Sequence, residues 1–180
     1  MRIFALSLVG LSLLACGGAS QPATHTTGQA SPAPTHEGGG RDEALRRVAQ
    51  IHGGAGPWVV AGYRMGEFAL ARLGVGAGSF DLEIVHYSPR LVQYSCVADG
   101  AAAATGASLG KLNLSLQEAE AASVHTTYRR KSTGQTITLR PSRYFVEHYL
   151  EVPREKLGDA GREVIALPDE KIFEVVPPAP

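Results

Sequence analysis

The chain has 180 residues, 17 of them Lys or Arg and 17 Asp or Glu, so its formal net charge is zero. Without the first fifteen residues, which hold one basic and no acidic residue, 16 cations face 17 anions and the balance is minus one. That balance carries no footprint for nucleic acid or for attraction to an anionic membrane, so no nucleic-acid partner is expected.

Arg2 gives a short positive start, and residues 3–14 form an apolar run too short to span a bilayer, which predicts a signal peptide over 1–15. The run ends in Leu13-Leu14-Ala15-Cys16, which looks like a bacterial lipobox: cleavage falls before Cys16 and lipid is attached to it. Gly17 follows rather than an Asp, so the inner-membrane retention signal is missing. The expected location is the outer membrane, facing the periplasm, or the cell surface, with the membrane as partner through lipidated Cys16. Residues 17–40 hold no Val, Ile, Leu, Met, Phe, Trp or Tyr and cannot bury a core, so 16–40 is expected to be a flexible tether. His25 and His36 fall within it as solvated linker residues. With Cys16 lipidated, Cys96 is the last thiol, and no intrachain disulfide can form.

Residues 41–174 have one domain's length and enough apolar side chains for a core, leaving 175–180 as a tail. Leu45, Val48 and Ile51 recur at helical spacing over 41–51. His52-Gly53-Gly54-Ala55-Gly56 interrupts the pattern, and Pro57 opens a second helix over 58–73, which Gly74 ends. Gly62, Gly66 and Ala69 form a small-residue stripe in that helix, which predicts a close neighbour. Residues 80–87 alternate as a strand, with Phe80, Leu82, Ile84 and His86 on the buried face. Residues 91–94 suggest a second short strand, 98–105 an alanine-rich helix, and 123–130 with 135–140 a hairpin. Residues 142–150, 153–166 and 168–174 read as short helical pieces. The order predicts an α+β fold: N-terminal helices packed on a small mixed β-sheet, then short C-terminal helices.

Two blocks of the chain resemble a known family. His52-Gly53-Gly54-Ala55-Gly56-Pro57, followed by Gly62-Tyr63-Arg64, is similar to the front motif of the FmdE family of formylmethanofuran dehydrogenase-associated proteins, usually H-G-H-x-C-P-G and then G-Y-R. Cys96-x-x-Asp99, then Thr105-Gly106-Ala107-Ser108-Leu109-Gly110-Lys111-Leu112-Asn113-Leu114, resembles its C-x-x-D and T-G-C-T-x-G-K-x-N-L. The resemblance implies a compact FmdE-like α+β domain similar in topology to the catalytic domain of glyceraldehyde-3-phosphate dehydrogenase, often as a homodimer. It also implies a shared site in which His52 and Cys96 serve as metal ligands for zinc or another divalent metal.

Gly54, Gly56 and Ala107 stand where the family has further His and Cys ligands, so the expected site is depleted and any metal weakly bound. Around it, Gly53, Gly54, Gly56 and Asp99 are expected to bind ligand, with the glycine loop letting backbone approach closely and the Pro57 helix offering free N–H groups. Each residue also has a plainer role. His52 can simply end a helix, Cys96 can be a buried small hydrophobe, and Asp99 can cap the helix over 98–105. If Cys96 instead precedes that helix, its thiolate is favoured there. His86, His125 and His148 read as core or surface residues, and Arg129, Arg130 and Lys131 as a solvated hairpin tip. Three functions stay open: binding of a metal ion or small ligand, a Cys-dependent enzyme using Cys96 with His52 as base, and a structural or interaction protein with a vestigial site.

Overall fold

The computed structural model describes residues 37–177. The signal segment, Cys16 and the tether up to residue 36 lie outside the described residues. Helix α1 (Glu37–His52) starts four residues earlier than the domain boundary expected from composition. The loop at 53–56 then leads to α2 (Pro57–Leu73), whose first residue is proline, and Gly74 closes it in the left-handed region (φ 61°). Next come β1 (Leu82–Ser88) and α3 (Val92–Thr105). A short 3₁₀ turn (Leu109–Lys111) precedes β2 (Leu114–Glu118). The hairpin of β3 (His125–Arg130) and β4 (Thr136–Pro141) forms where the turn residues put it. The chain finishes with α4 (Arg143–Tyr149), α5 (Leu157–Val164), α6 (Asp169–Ile172) and β5 (Phe173–Val176).

The five strands make one mixed sheet in the order β2-β1-β3-β4-β5, so the fold is α+β. β1 and β2 are parallel, Ile84 opposite Leu114, and the other pairs are antiparallel. Parallel neighbours need a crossover, and α3 supplies it, making a single β-α-β unit. Ile84, His86, Thr126, Tyr128 and Leu139 are buried on the sheet beneath the helices.

Four local expectations are corrected. Residues 91–94 are not a strand: Leu91 is the extended residue that starts α3, which begins six residues before Ala98. α3 is apolar nearly all round, so it lacks the one-sided stripe that marks a surface helix. Phe80 lies before β1 and is exposed rather than on its buried face. β2 is a short outer strand with exposed residues, and its signal is correspondingly faint. β5 occupies residues read as helical and as tail, because four residues are too few to show a period and its pairing with β4 is not local.

The stripe on α2 does have a neighbour. A Cβ at Gly62 would stand 2.1 Å from the Val97 carbonyl oxygen, and one at Gly100 of α3 1.9 Å from that of Val59. The two helices therefore touch backbone to backbone, a contact that only glycine permits. Farther along, Arg64 clasps the C-terminal segment: its Nη1 donates to the carbonyls of Ile165 (2.8 Å) and Leu167 (2.9 Å), and its Nη2 to Asp169 Oδ1 (2.6 Å). Among the described residues no helix is long and apolar enough to cross a membrane.

Candidate functional site

Where α1 ends and α2 begins, a cavity of about 300 Å³ opens against the first turns of α3. His52, Gly56, Pro57, Trp58, Val59, Val92, Gln93 and Cys96 form one side, and Tyr149, Leu150, Val152 and Leu157 the other. Two hydrogen bonds hold that second side in place. Trp58 Nε1 donates to the Tyr149 carbonyl at 2.8 Å, and Gln93 Nε2 donates to the Leu150 carbonyl. Trp58 is fixed further by edge-on contacts with Tyr94 and Phe145, centroids 5.0 and 5.1 Å away.

His52 is the last residue of α1, and its Nδ1 lies 2.8 Å from Asp99 Oδ2. A carboxylate only accepts, so Nδ1 carries the proton and donates it, which leaves Nε2 as the ring nitrogen able to serve a ligand. Among the described residues Nε2 has no partner. Asp99 sits within α3, one turn beyond Cys96, so it is not the cap of a helix starting at Ala98. It does not line the cavity; it orients the histidine that does.

Cys96 lies in the second turn of α3 and is 7% exposed. Its Sγ–H donates to the Gln93 carbonyl at 3.1 Å, one helical turn back. Burial, reinforced by the negative charge of Asp99, pushes the thiol up to about 12. The expectation of a favoured thiolate ahead of a helix N-terminus is thereby corrected: the helix starts earlier, and the thiol is neutral at ordinary pH. A neutral, buried thiol is a poor nucleophile.

Of the three loop glycines, only Gly56 borders the cavity. Gly53 takes a positive φ (85°), and its N–H donates to the Ala49 carbonyl at 2.8 Å, so it closes α1 rather than admitting a ligand. Gly54 is exposed, with open space where a Cβ would be. The close approach in this region comes from elsewhere: a Cβ at Gly161 of α5 would meet the Ala55 carbonyl at 1.8 Å. At the start of α2, Gly56 provides no side-chain cap and the first turn has no acid, so the free N–H groups of Trp58 and Val59 stand at the cavity wall.

The outer wall, Tyr149, Leu150, Val152 and Leu157, leaves no mark in the sequence because those residues reach the site only through tertiary contacts. Trp58 had a signal, as the one tryptophan in the chain next to the helix-starting proline. His86 is buried at the base of α3, where its Nε2–H donates to the Tyr94 carbonyl (3.0 Å) and its Nδ1 pairs with Thr126 Oγ1 (2.8 Å). Burial lowers its pKa to about 4, so it is a neutral core residue, as its place on the strand suggested. Among the described residues no group of three or more His, Cys, Asp or Glu is placed to hold a metal ion.

The fold and site define a single α+β domain with an apolar, ligand-sized cavity and one carboxylate-backed histidine on its wall. Residues 51–174 match the family described as FmdE, molybdenum formylmethanofuran dehydrogenase operon. The match spans more than half of the chain, which therefore belongs to the FmdE family. No curated protein matches it.

Proposed function

We propose that this FmdE-family chain is a binding protein, exported and anchored through lipid on Cys16 on the periplasmic face of the outer membrane, whose cavity takes a small and largely apolar ligand. One observation carries the reading: His52 lines a largely apolar cavity with its Nδ1 fixed by Asp99 and, among the described residues, its Nε2 left without a partner. Ligand sites are mostly apolar with a few placed polar groups. At about 300 Å³ the cavity falls at the small end of the range of small-molecule sites. The uncapped start of α2 favours negative charge on the ligand's polar end, and His52 Nε2 stands free to hydrogen-bond the same end.

A closed zinc site does not fit this donor set, since zinc asks for three or four protein ligands and, among the described residues, His52 and Cys96 are the only candidate ligands that border the cavity. A weakly held, exchangeable divalent ion is the second reading. The carboxylate behind His52 favours it, because metal-binding histidines are commonly oriented that way. Elemental analysis of protein purified without chelator tests it, with a stoichiometric ion as the supporting result. A catalytic Cys96 has less support, given its neutral thiol.

Trp58 offers a direct assay of the first reading, because its emission reports on the cavity wall alone. Titration with benzoate, phenylacetate and isovalerate is expected to change that emission saturably for at least one of them, and His52→Ala to abolish the change. If none saturates with the parent protein, or if His52→Ala binds equally well, the reading fails.

A further inference from the structure

The end of the domain away from the cavity exposes apolar side chains that the fold does not need. Phe80 is 65% exposed, Leu109 72% and Leu112 90%. They share one surface. Lys111 Nζ lies 5.2 Å from the Phe80 ring and donates to the carbonyls of Gly78 and Gly106, which ties the loop before β1 to the loop after α3. The β3–β4 turn closes on the same end, with the Lys131 N–H donating to the Asp81 carbonyl. The Asp81 carboxylate, next to Phe80, is taken up by Arg130 and Ser132. Leu112 also has a positive φ of 53°, a conformation that disfavours a residue bearing a Cβ and that Gly or Asn adopts more readily. The leucine there is bare to solvent and adds nothing to the core.

The helices place this surface opposite the cavity. α2 and α3 both begin in the cavity wall. At their far ends, the Leu73 carbonyl accepts from Arg130, and the Thr105 carbonyl accepts from the Gly78 N–H. α1 reaches the cavity with its last residue, His52, so its first residue lies about 22 Å away along the helix axis. The chain leading back to Cys16 thus leaves α1 at the end remote from the cavity. The span from Cys16 to Glu37 is 21 residues (37 minus 16), long enough when extended to reach about 70 Å. A linker of that length holds the membrane at high effective concentration beside the domain, so a small surface is sufficient.

We infer that this end of the domain rests on the lipid surface, with Phe80, Leu109 and Leu112 set into the interface and Lys111 and Lys131 at headgroup level, so that the His52 cavity faces away from the membrane. The inference rests on the lipid anchor proposed above. A lysine stem lies along apolar surface while its charged end stays in water, which suits Lys131 to this place, and Lys111 holds the Phe80 loop beside it.

The test uses the full-length protein in vesicles of phosphatidylcholine and phosphatidylglycerol, with an environment-sensitive fluorophore on Leu112→Cys or, for comparison, on Leu157→Cys at the cavity. The parent protein, whose Cys96 is buried, gives the labelling background. Brominated lipid is expected to quench the fluorophore at 112 several-fold more than at 157, and Phe80→Ser is expected to reduce that quenching. Equal quenching at the two positions, or stronger quenching at 157, overturns the inference. Flotation reports the anchor separately. If the protein does not float, the anchor reading fails, and the 112 fluorophore in excess vesicles decides the surface alone: unquenched, it overturns the inference. A fluorophore shielded without lipid, in proportion to protein concentration, assigns the surface to a second copy of the chain and likewise overturns it.

Discussion

The same two helices meet backbone to backbone at one level and wall the His52 cavity at another. Midway along α2 and α3, Gly62 and Gly100 let the backbones meet with no side chain between them. At their starts, Trp58, Val92, Gln93 and Cys96 stand around an open volume. Val59 belongs to both zones: its carbonyl meets Gly100, and the residue borders the cavity. The contrast teaches that the cavity is not loose packing, because a clamp with no tolerance for a methyl group lies within a turn of it. Residue size along two helices decides where the domain is closed and where it is open.

The largest way to break the comparison is to fill the clamp. Gly62→Leu forces α2 and α3 apart and should lower the unfolding free energy by about 3 kcal/mol, at the upper end of overpacking costs and well beyond the roughly 1 kcal/mol that leaving glycine gains in helix propensity. Urea denaturation reads the loss, and parent-like stability would show that the contact is not tight.

A second test approaches from beneath. His86 holds the Tyr94 carbonyl in the first turn of α3 as a neutral imidazole, with a pKa of about 4 against an ordinary value near 6.5. Between those values the unfolded chain binds the proton and the folded one does not. Stability is therefore complete above about pH 6.5 and falls as the pH drops toward 4, by up to about 3 kcal/mol. His86→Gln should flatten that part of the profile of unfolding free energy against pH; an unchanged slope would acquit His86.

The smallest effect belongs to the open zone. Asp99→Asn leaves His52 in place but removes the carboxylate that fixes its tautomer, and it should weaken ligand binding about tenfold, as loss of such orienting partners commonly does. Because Asp99 is half-exposed, stability should change by less than about 1 kcal/mol. Trp58 fluorescence titration and urea denaturation together separate the two outcomes, and unaltered affinity would remove Asp99 from the site.

Much of this contrast was legible in the sequence. The stripe of Gly62, Gly66 and Ala69 implied a close neighbour, and Pro57 and Gly74 marked the ends of α2. The neighbour itself was misplaced, since α3 is apolar on nearly every side and its first six residues carry no helical stripe. His52 and Cys96 were paired by resemblance to the FmdE family, and both border the cavity. The roles of the glycines were not legible, because closing a helix, standing clear in solvent and bordering a cavity all look alike in a run of glycine. The outer wall was hidden for another reason: Tyr149 meets Trp58, and Leu157 shares its cavity, across more than ninety residues of sequence.

Arg64 gives the cavity a mechanical aspect. The residues that cover it from outside belong to the segment from α4 to α5, and the run just beyond, up to Asp169, is latched to α2 by this one guanidinium through three charge-assisted bonds. Such a segment opens as a cooperative unit rather than residue by residue. On the binding reading proposed above, ligand escape is expected to follow the opening of this segment, which amide exchange in α5 would measure.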